Sequence, residues 1–235
     1  MTRPSPNRVR WIVGVSAAIV MALVSLPLAV VLPMALPADS GIAARKAEGS
    51  IWEGILRDVT VAGLPLGDTG IALDVLPLVI GKARLGFASN VLRGIVETSS
   101  GRVGLADATG VIDLAGRLRP LPVSRLTLEG VTTEFRDQRC AVARGRVRAD
   151  VAGDVGGLSL PGGLSGTVRC DGNEIVVPLV GQSGMERIDL RITQNGKWRA
   201  DLSVRTTDPT IAARLLSSGF STGPGGYTIR VTGAL

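Results

Sequence analysis

An unbroken uncharged run from Trp11 to Ala38, preceded by Arg3, Arg8 and Arg10, constrains this chain more than any other feature. A helix needs about 20 apolar residues to cross a bilayer core, and this run supplies them. Pro27 and Pro33 kink or end the helix toward its C-terminal side, and Trp11 stands where an interfacial aromatic is favoured. The arginines on the near side predict a cytoplasmic N-terminus. The expected layout is therefore a basic cytoplasmic tail over 1–10, a transmembrane helix over 11–36, and a periplasmic domain over 39–235 of a single-pass inner-membrane protein. A cleaved signal peptide is the competing reading, but its apolar stretch is usually only about 7 to 15 residues, and Pro37 makes a poor cleavage site.

Beyond the run, charge is nearly balanced: taking the three leading arginines from the 26 basic residues leaves 23 against 20 acidic ones. A nucleic-acid binder concentrates basic charge on one face, so no nucleic-acid partner is expected. The two cysteines, Cys140 and Cys170, are too few for a structural zinc site, and no histidine completes one. In an oxidising compartment they form a disulfide, worth about 3 to 4 kcal/mol by loop-closure entropy; otherwise they are two small buried hydrophobes.

Strand periodicity dominates the exported part. From Arg187 to Thr193 polar and aliphatic residues alternate without a break, and Trp198, Ala200, Leu202 and Val204 repeat the pattern. Asn195-Gly196 between them is a strong hairpin signal, so 187–205 reads as a β-hairpin. A second hairpin fits 166–177 around Asp171-Gly172-Asn173, and further strands fit Leu126 to Leu128, Arg146 to Val151 and Thr228 to Thr232. Less regular candidates are Ile55 to Val61, Ile71 to Leu76, Lys82 to Phe87, Val91 to Glu97 and Val111 to Leu114. One short helix is expected from Asp208-Pro209, an N-cap followed by proline at the first helical position. Arg119-Pro120-Leu121-Pro122 interrupts any ladder and divides either two domains or two halves of one sheet near residue 120. The fold class is mainly β: a curved antiparallel sheet, because parallel strands would need crossovers and helices are scarce.

Chemistry finds little to stand on. Without histidine, the Ser-His-Asp and Cys-His arrangements are excluded. Asp154, Asp171 and Glu174 lie near turns, where single carboxylates are usually solvated or capping. The glycine-rich stretches 153–157 and 162–166 lack the Gly-Lys-Ser/Thr element of a phosphate-binding loop. Arg187, Arg191, Arg199 and Arg205 read as the wet face of a sheet. No catalytic residue, cofactor, metal or small-molecule substrate is expected.

Glu48-Gly49-Ser50-Ile51-Trp52-Glu53-Gly54 holds a Gly-x-x-Trp-x-Gly element, followed by Leu64-Pro65-Leu66-Gly67 and Pro77-Leu78. Together with Gly196-Lys197-Trp198, the Asp208-Pro209 helix with Leu215, Leu216 and Gly219, and the closing Gly226-Tyr227-Thr228-Ile229 and Gly233-Ala234-Leu235, this order resembles the type II secretion system protein N family. Val75 occupies the place where that pattern leads one to expect tryptophan before Pro77.

The resemblance implies a non-catalytic inner-membrane accessory component of the Gram-negative machine that moves folded proteins across the outer membrane. It also implies partners among the inner-membrane platform and periplasmic subunits, with membrane lipid met through the anchor. A structural part suits Gly49, Trp52 and Gly54, the tryptophan plugging one end of an aliphatic sheet while the glycines let the backbone bend. The alternative function is a periplasmic lipid-handling module with an apolar groove in its curved sheet.

Overall fold

Short alternating segments joined by tight turns can satisfy their backbone groups most directly by pairing each strand with its successor. The computed structural model describes residues 21, 25–35, 41–114, 123–151, 154–155, 158–159 and 163–234. Helix α1 (Leu28–Ala35) precedes β1 (Ile42–Ala43), β2 (Lys46–Gly49), β3 (Gly54–Val61) and β4 (Leu64–Leu73). Then come helix α2 (Val75–Val79), β5 (Lys82–Ser89), β6 (Leu92–Ser99) and β7 (Arg102–Asp113). The long hairpin β8 (Val123–Arg136) and β9 (Arg139–Val151) leads to a separate pair of two-residue strands, β10 (Asp154–Val155) and β11 (Leu158–Ser159). The chain closes with β12 (Leu164–Thr167), β13 (Arg169–Asp171), β14 (Glu174–Gly181), β15 (Glu186–Thr193), β16 (Lys197–Val204), helix α3 (Pro209–Ser217), β17 (Ser221–Gly223) and β18 (Gly226–Ala234).

Apart from that small pair, all the strands belong to one antiparallel sheet in the order β1-β3-β4-β5-β6-β7-β8-β9-β12-β14-β15-β16-β18-β17, with β2 on β3 and β13 on β14. The sheet is open, since its first and last strands do not pair. Its ladder continues past residue 120, because β7 pairs with β8 from Arg102↔Arg136 to Asp113↔Arg125. Residues 115–122, which include the Arg119–Pro122 boundary, lie outside the described residues.

The predicted hairpin over 187–205 is β15–β16, with Ile188 opposite Leu202 and Leu190 opposite Ala200. Its turn places Gly196 at φ +77°, the left-handed region that the Asn-Gly pair tolerates. Period-2 side chains then line up across strands: Leu179, Ile188, Leu202 and Ile229 form one row, and Val177, Leu190, Ala200 and Val231 the next. These rows are the centre of the main hydrophobic core, which extends from Ala108 on β7 to Phe220 and takes in Leu215 of α3. At its rim the Trp198 ring covers Gly233 so closely that a Cβ there would come within 2.5 Å of Cζ2. A second, small cluster holds Leu28, Leu56, Val59 and Ile71.

Two expectations change. Three short helices are present among the described residues: α3 at the expected Asp208-Pro209 start, α1 within the expected 11–36 helix, and α2 where a strand was expected. The strand expected over Ile71–Leu76 stops at Leu73, and Val75-Leu76-Pro77-Leu78-Val79 turns into α2, because an all-apolar stretch with proline third in the helix has no period-2 pattern to keep it in the ladder. Residues 11–20, 22–24 and 36 of the expected membrane span lie outside the described residues. Among the described residues no helix is long and apolar enough to cross a membrane. The stretch Leu28–Ala35, included in that span, forms α1, whose Leu28 is buried against the sheet.

Candidate docking surfaces and the N-terminal junction

The Gly-x-x-Trp-x-Gly element is where the N-terminal segment meets the sheet. Gly49 ends β2 at φ +87°, and Gly54 begins β3 opposite it. Between them Ser50 N–H donates to the Glu53 carbonyl at 3.1 Å and Ile51 N–H to the Leu26 carbonyl at 3.2 Å, while Pro27 bridges to Ser50. A Cβ on Gly54 would lie 2.8 Å from Leu28 Cδ2, the Glu48 carbonyl and the Ser50 carbonyl alike, so only glycine lets Leu28 seat itself. Trp52 is half-buried in this turn, and its neighbour Ile51 packs on the small core. Sequence reasoning found the element and missed the socket, whose other half, Leu28, lay inside the expected span.

Around this junction runs a cross-strand charge network. Arg57 on β3 holds Asp68 at 2.6 Å and Glu48 at 3.1 Å, and Lys46 reaches Glu48 at 2.8 Å. Hydrogen bonds from Lys46 and then Arg57 lower the Glu48 pKa, and the hydrogen bond from Arg57 lowers that of Asp68. The Arg57 guanidinium is raised in turn, chiefly by Asp68. All three groups face solvent, so the network aligns strands more than it adds stability.

The two sheet edges differ sharply. On the N-terminal side β3 is covered by β2 and β1, and α1 packs on β2. On the C-terminal side β17 covers β18 only from Gly226 to Thr228. From Ile229 to Ala234, β18 pairs with β16 alone among the described residues, through a register with no bulge and no proline. Such a straight edge presents a row of outward backbone donors and acceptors, the template used in strand addition.

A third surface lies on the face of β3–β6 turned away from the small core. Ile55, Gly70, Ala72, Gly86, Ala88 and Ile95 line a shallow apolar trough of ≈ 790 Å³. Neither Gly70 nor Gly86 has a positive φ, and an added Cβ would meet only carbonyl oxygens at 3.6 and 3.7 Å. The sheet itself therefore has room for larger side chains along the trough floor.

Two of the carboxylates near turns are engaged in ion pairs. Asp171 and Glu174 both hold Arg191 at 2.9 Å, which raises the Arg191 pKa, with Glu174 the larger cause. Arg187 is tied to Asp189 at 2.8 Å, Arg199 lies 3.5 Å from Asp201, and Arg205 donates to the Gly225 carbonyl at 3.3 Å. The Asp154 side chain and residues 153, 156–157 and 162 of the glycine-rich stretches lie outside the described residues. No group of acidic or cysteine side chains among the described residues could hold a metal ion. Cys140 and Cys170 are joined, with their Cα atoms 5.4 Å apart, and clamp the start of β9 to β13.

Comparison with protein-family models matches residues 40–230 to "Type II secretion system (T2SS), protein N". No curated protein and no solved structure matches the chain.

Proposed function

Since this chain belongs to the type II secretion system protein N family, we propose that it is a non-catalytic accessory component of the inner-membrane part of that machine, one that docks a neighbouring subunit by strand addition. The observation that carries this reading is the straight edge of β18 from Ile229 to Ala234, which pairs with β16 alone among the described residues, whereas the opposite edge is broken into the short strands β1 and β2, with α1 packed on β2. The proposed placement, N-terminus in the cytoplasm and β-body in the periplasm, draws on the uncharged run behind Arg3, Arg8 and Arg10 and on the Cys140–Cys170 pair, which needs an oxidising compartment to persist.

The test is site-specific photocrosslinking in secreting cells, with the crosslinker at exposed Thr232 on β18 and, for comparison, at exposed Lys46 on β2. Crosslinks from 232 to a secretion subunit, with few from 46, are the expected result. Equal capture from both positions, or secretion that continues undiminished when the protein is deleted, would reject the docking role.

A second reading, transport of lipid, has the trough in its favour, because Gly70 and Gly86 are smaller than their backbone and neighbours require. Native mass spectrometry of the full chain distinguishes the two. Stoichiometric bound lipid that is lost in Gly86→Leu supports transport, and a lipid-free protein with intact secretion removes it.

A further inference from the structure

Helix α2 is the most exposed apolar element among the described residues, and none of its residues is buried. Leu76 is 85% exposed, Val79 81% and Ile80, just past the helix, 69%. Nothing polar interrupts Val75-Leu76-Pro77-Leu78-Val79-Ile80, and no packing among the described residues accounts for it. A contiguous apolar patch of this kind marks a contact with something outside the molecule.

Topology says where the patch lies. β3 begins at Gly54 opposite Ile71 of β4, so the Ser50–Glu53 turn and the C-terminal end of β4 share one end of the sheet. The N-terminal segment joins the body at that same turn, through Ile51 N–H on the Leu26 carbonyl. α2 follows β4 directly, and β5 leaves from the same end with Lys82 opposite Ser99. The apolar turn and the entry point of the uncharged run thus stand side by side.

Charge selects the partner. Lys82 and Arg102 line the same hollow as Leu76 and Ile80 and form no ion pair among the described residues, whereas neighbouring Arg84 is engaged by Asp74 and Glu97. Aliphatic side chains at the tip with free cations beside them match an anionic bilayer surface, where the chains enter the acyl boundary and the cations reach headgroup phosphates. We propose that α2 is a second membrane contact: Leu76, Val79 and Ile80 dip into the leaflet from which the anchor emerges, and Lys82 and Arg102 bind anionic phospholipid. Two contacts at one end would hold the sheet upright on the bilayer and keep the β18 edge from turning freely about a single tether. This rests on the anchoring reading for its geometry, but it can fail while that reading stands.

The test uses the full chain in nanodiscs of phosphatidylethanolamine and phosphatidylglycerol, with an environment-sensitive fluorophore placed singly through Leu76→Cys, Leu216→Cys or Val20→Cys. Cys140 and Cys170 are consumed by their own bridge. Leu216 lies on α3, beyond the C-terminal end of β16 and so at the opposite end of the sheet, and is likewise exposed. Quenching by brominated lipid at 76 and 20 but not at 216 is expected. Replacing phosphatidylglycerol with phosphatidylcholine, or introducing Lys82→Gln and Arg102→Gln, should shift the inserted population about fivefold per cation. A label at 76 as unquenched as that at 216, with 20 quenched, overturns the proposal and leaves the anchor intact. Absence of quenching at both 76 and 20 overturns both. Quenching at 76 that ignores the charge changes overturns the assignment to anionic lipid.

Discussion

Between β14 and β18 the ladders run from strand to strand without a register shift, and their inward rows form a continuous block of the main core. Between β3 and β7 the same meander behaves otherwise. Bulges interrupt the β3–β4 and β6–β7 ladders, Asp58, Ala62 and Asp107 hold positive φ without being glycine, and neither β5 nor β6 has a fully buried residue. One sheet can thus contain a rigid region and a pliable one when burial, rather than pairing, is unevenly distributed. Hydrogen bonds alone contribute modestly in net terms, so the strands that bury least are held least. In this protein the pliable region carries the trough, α2 and the N-terminal junction, and the rigid one carries the bare edge.

The largest effect should come from cutting into the rigid region. Leu202, 2% exposed and central to its row, loses about 2–5 kcal/mol on Leu202→Ala by urea unfolding of the full chain, whereas half-buried Leu85 on β5 loses about 1 kcal/mol. Equal losses would erase the contrast. Reducing the Cys140–Cys170 bridge should cost about 3 kcal/mol, because it closes a 30-residue separation between β9 and β13. An unchanged urea midpoint after reduction would show that the clamp adds nothing to the ladder beside it.

In the pliable region the sharpest probe is Gly54→Val, which forces atoms against Leu28 and two carbonyls. A loss of about 1–3 kcal/mol is expected, accompanied by protease access at 26–28 while β15–β16 stays protected. Release of the whole sheet instead would mean that the two regions unfold as one.

The smallest expected effect is at α3. Asp208 accepts from Thr210 N–H at 2.7 Å and Ile211 N–H at 3.3 Å, and these bonds, the first being the larger cause, lower its pKa. A carboxylate lowered on folding stabilises above its unfolded value of about 4, and that contribution is lost as pH falls through the lower folded value. Asp208→Asn should keep the cap and lose the pH dependence, whereas Asp208→Ala should lose the cap and lower stability slightly at neutral pH. Calorimetry across that acid range checks both.

How much of this was legible depended on where the signal lay. The β15–β16 hairpin could be read because period-2 alternation and Asn195-Gly196 agree. The β8–β9 turn could not, since Asp137 and Gln138 adopt φ of 48° and 64° without a glycine to announce them. α2 was misread because an unbroken apolar stretch carries no period. The bare edge of β18 was invisible for another reason: being an edge belongs to the pairing order of the whole sheet and to no residue in the strand. Gly49 and Gly54 stood out as a motif, but Leu28, the side chain that needs the gap, sat in a stretch that reads equally well as bilayer-spanning.

Native-state hydrogen exchange on the full chain in nanodiscs tests the division between the two regions most directly. Amides of β14, β15 and β16 should exchange only by global unfolding, while those of β5 and β6 should exchange through local openings of distinctly lower free energy. Protection in β5 and β6 equal to that in β15 and β16 would contradict that division.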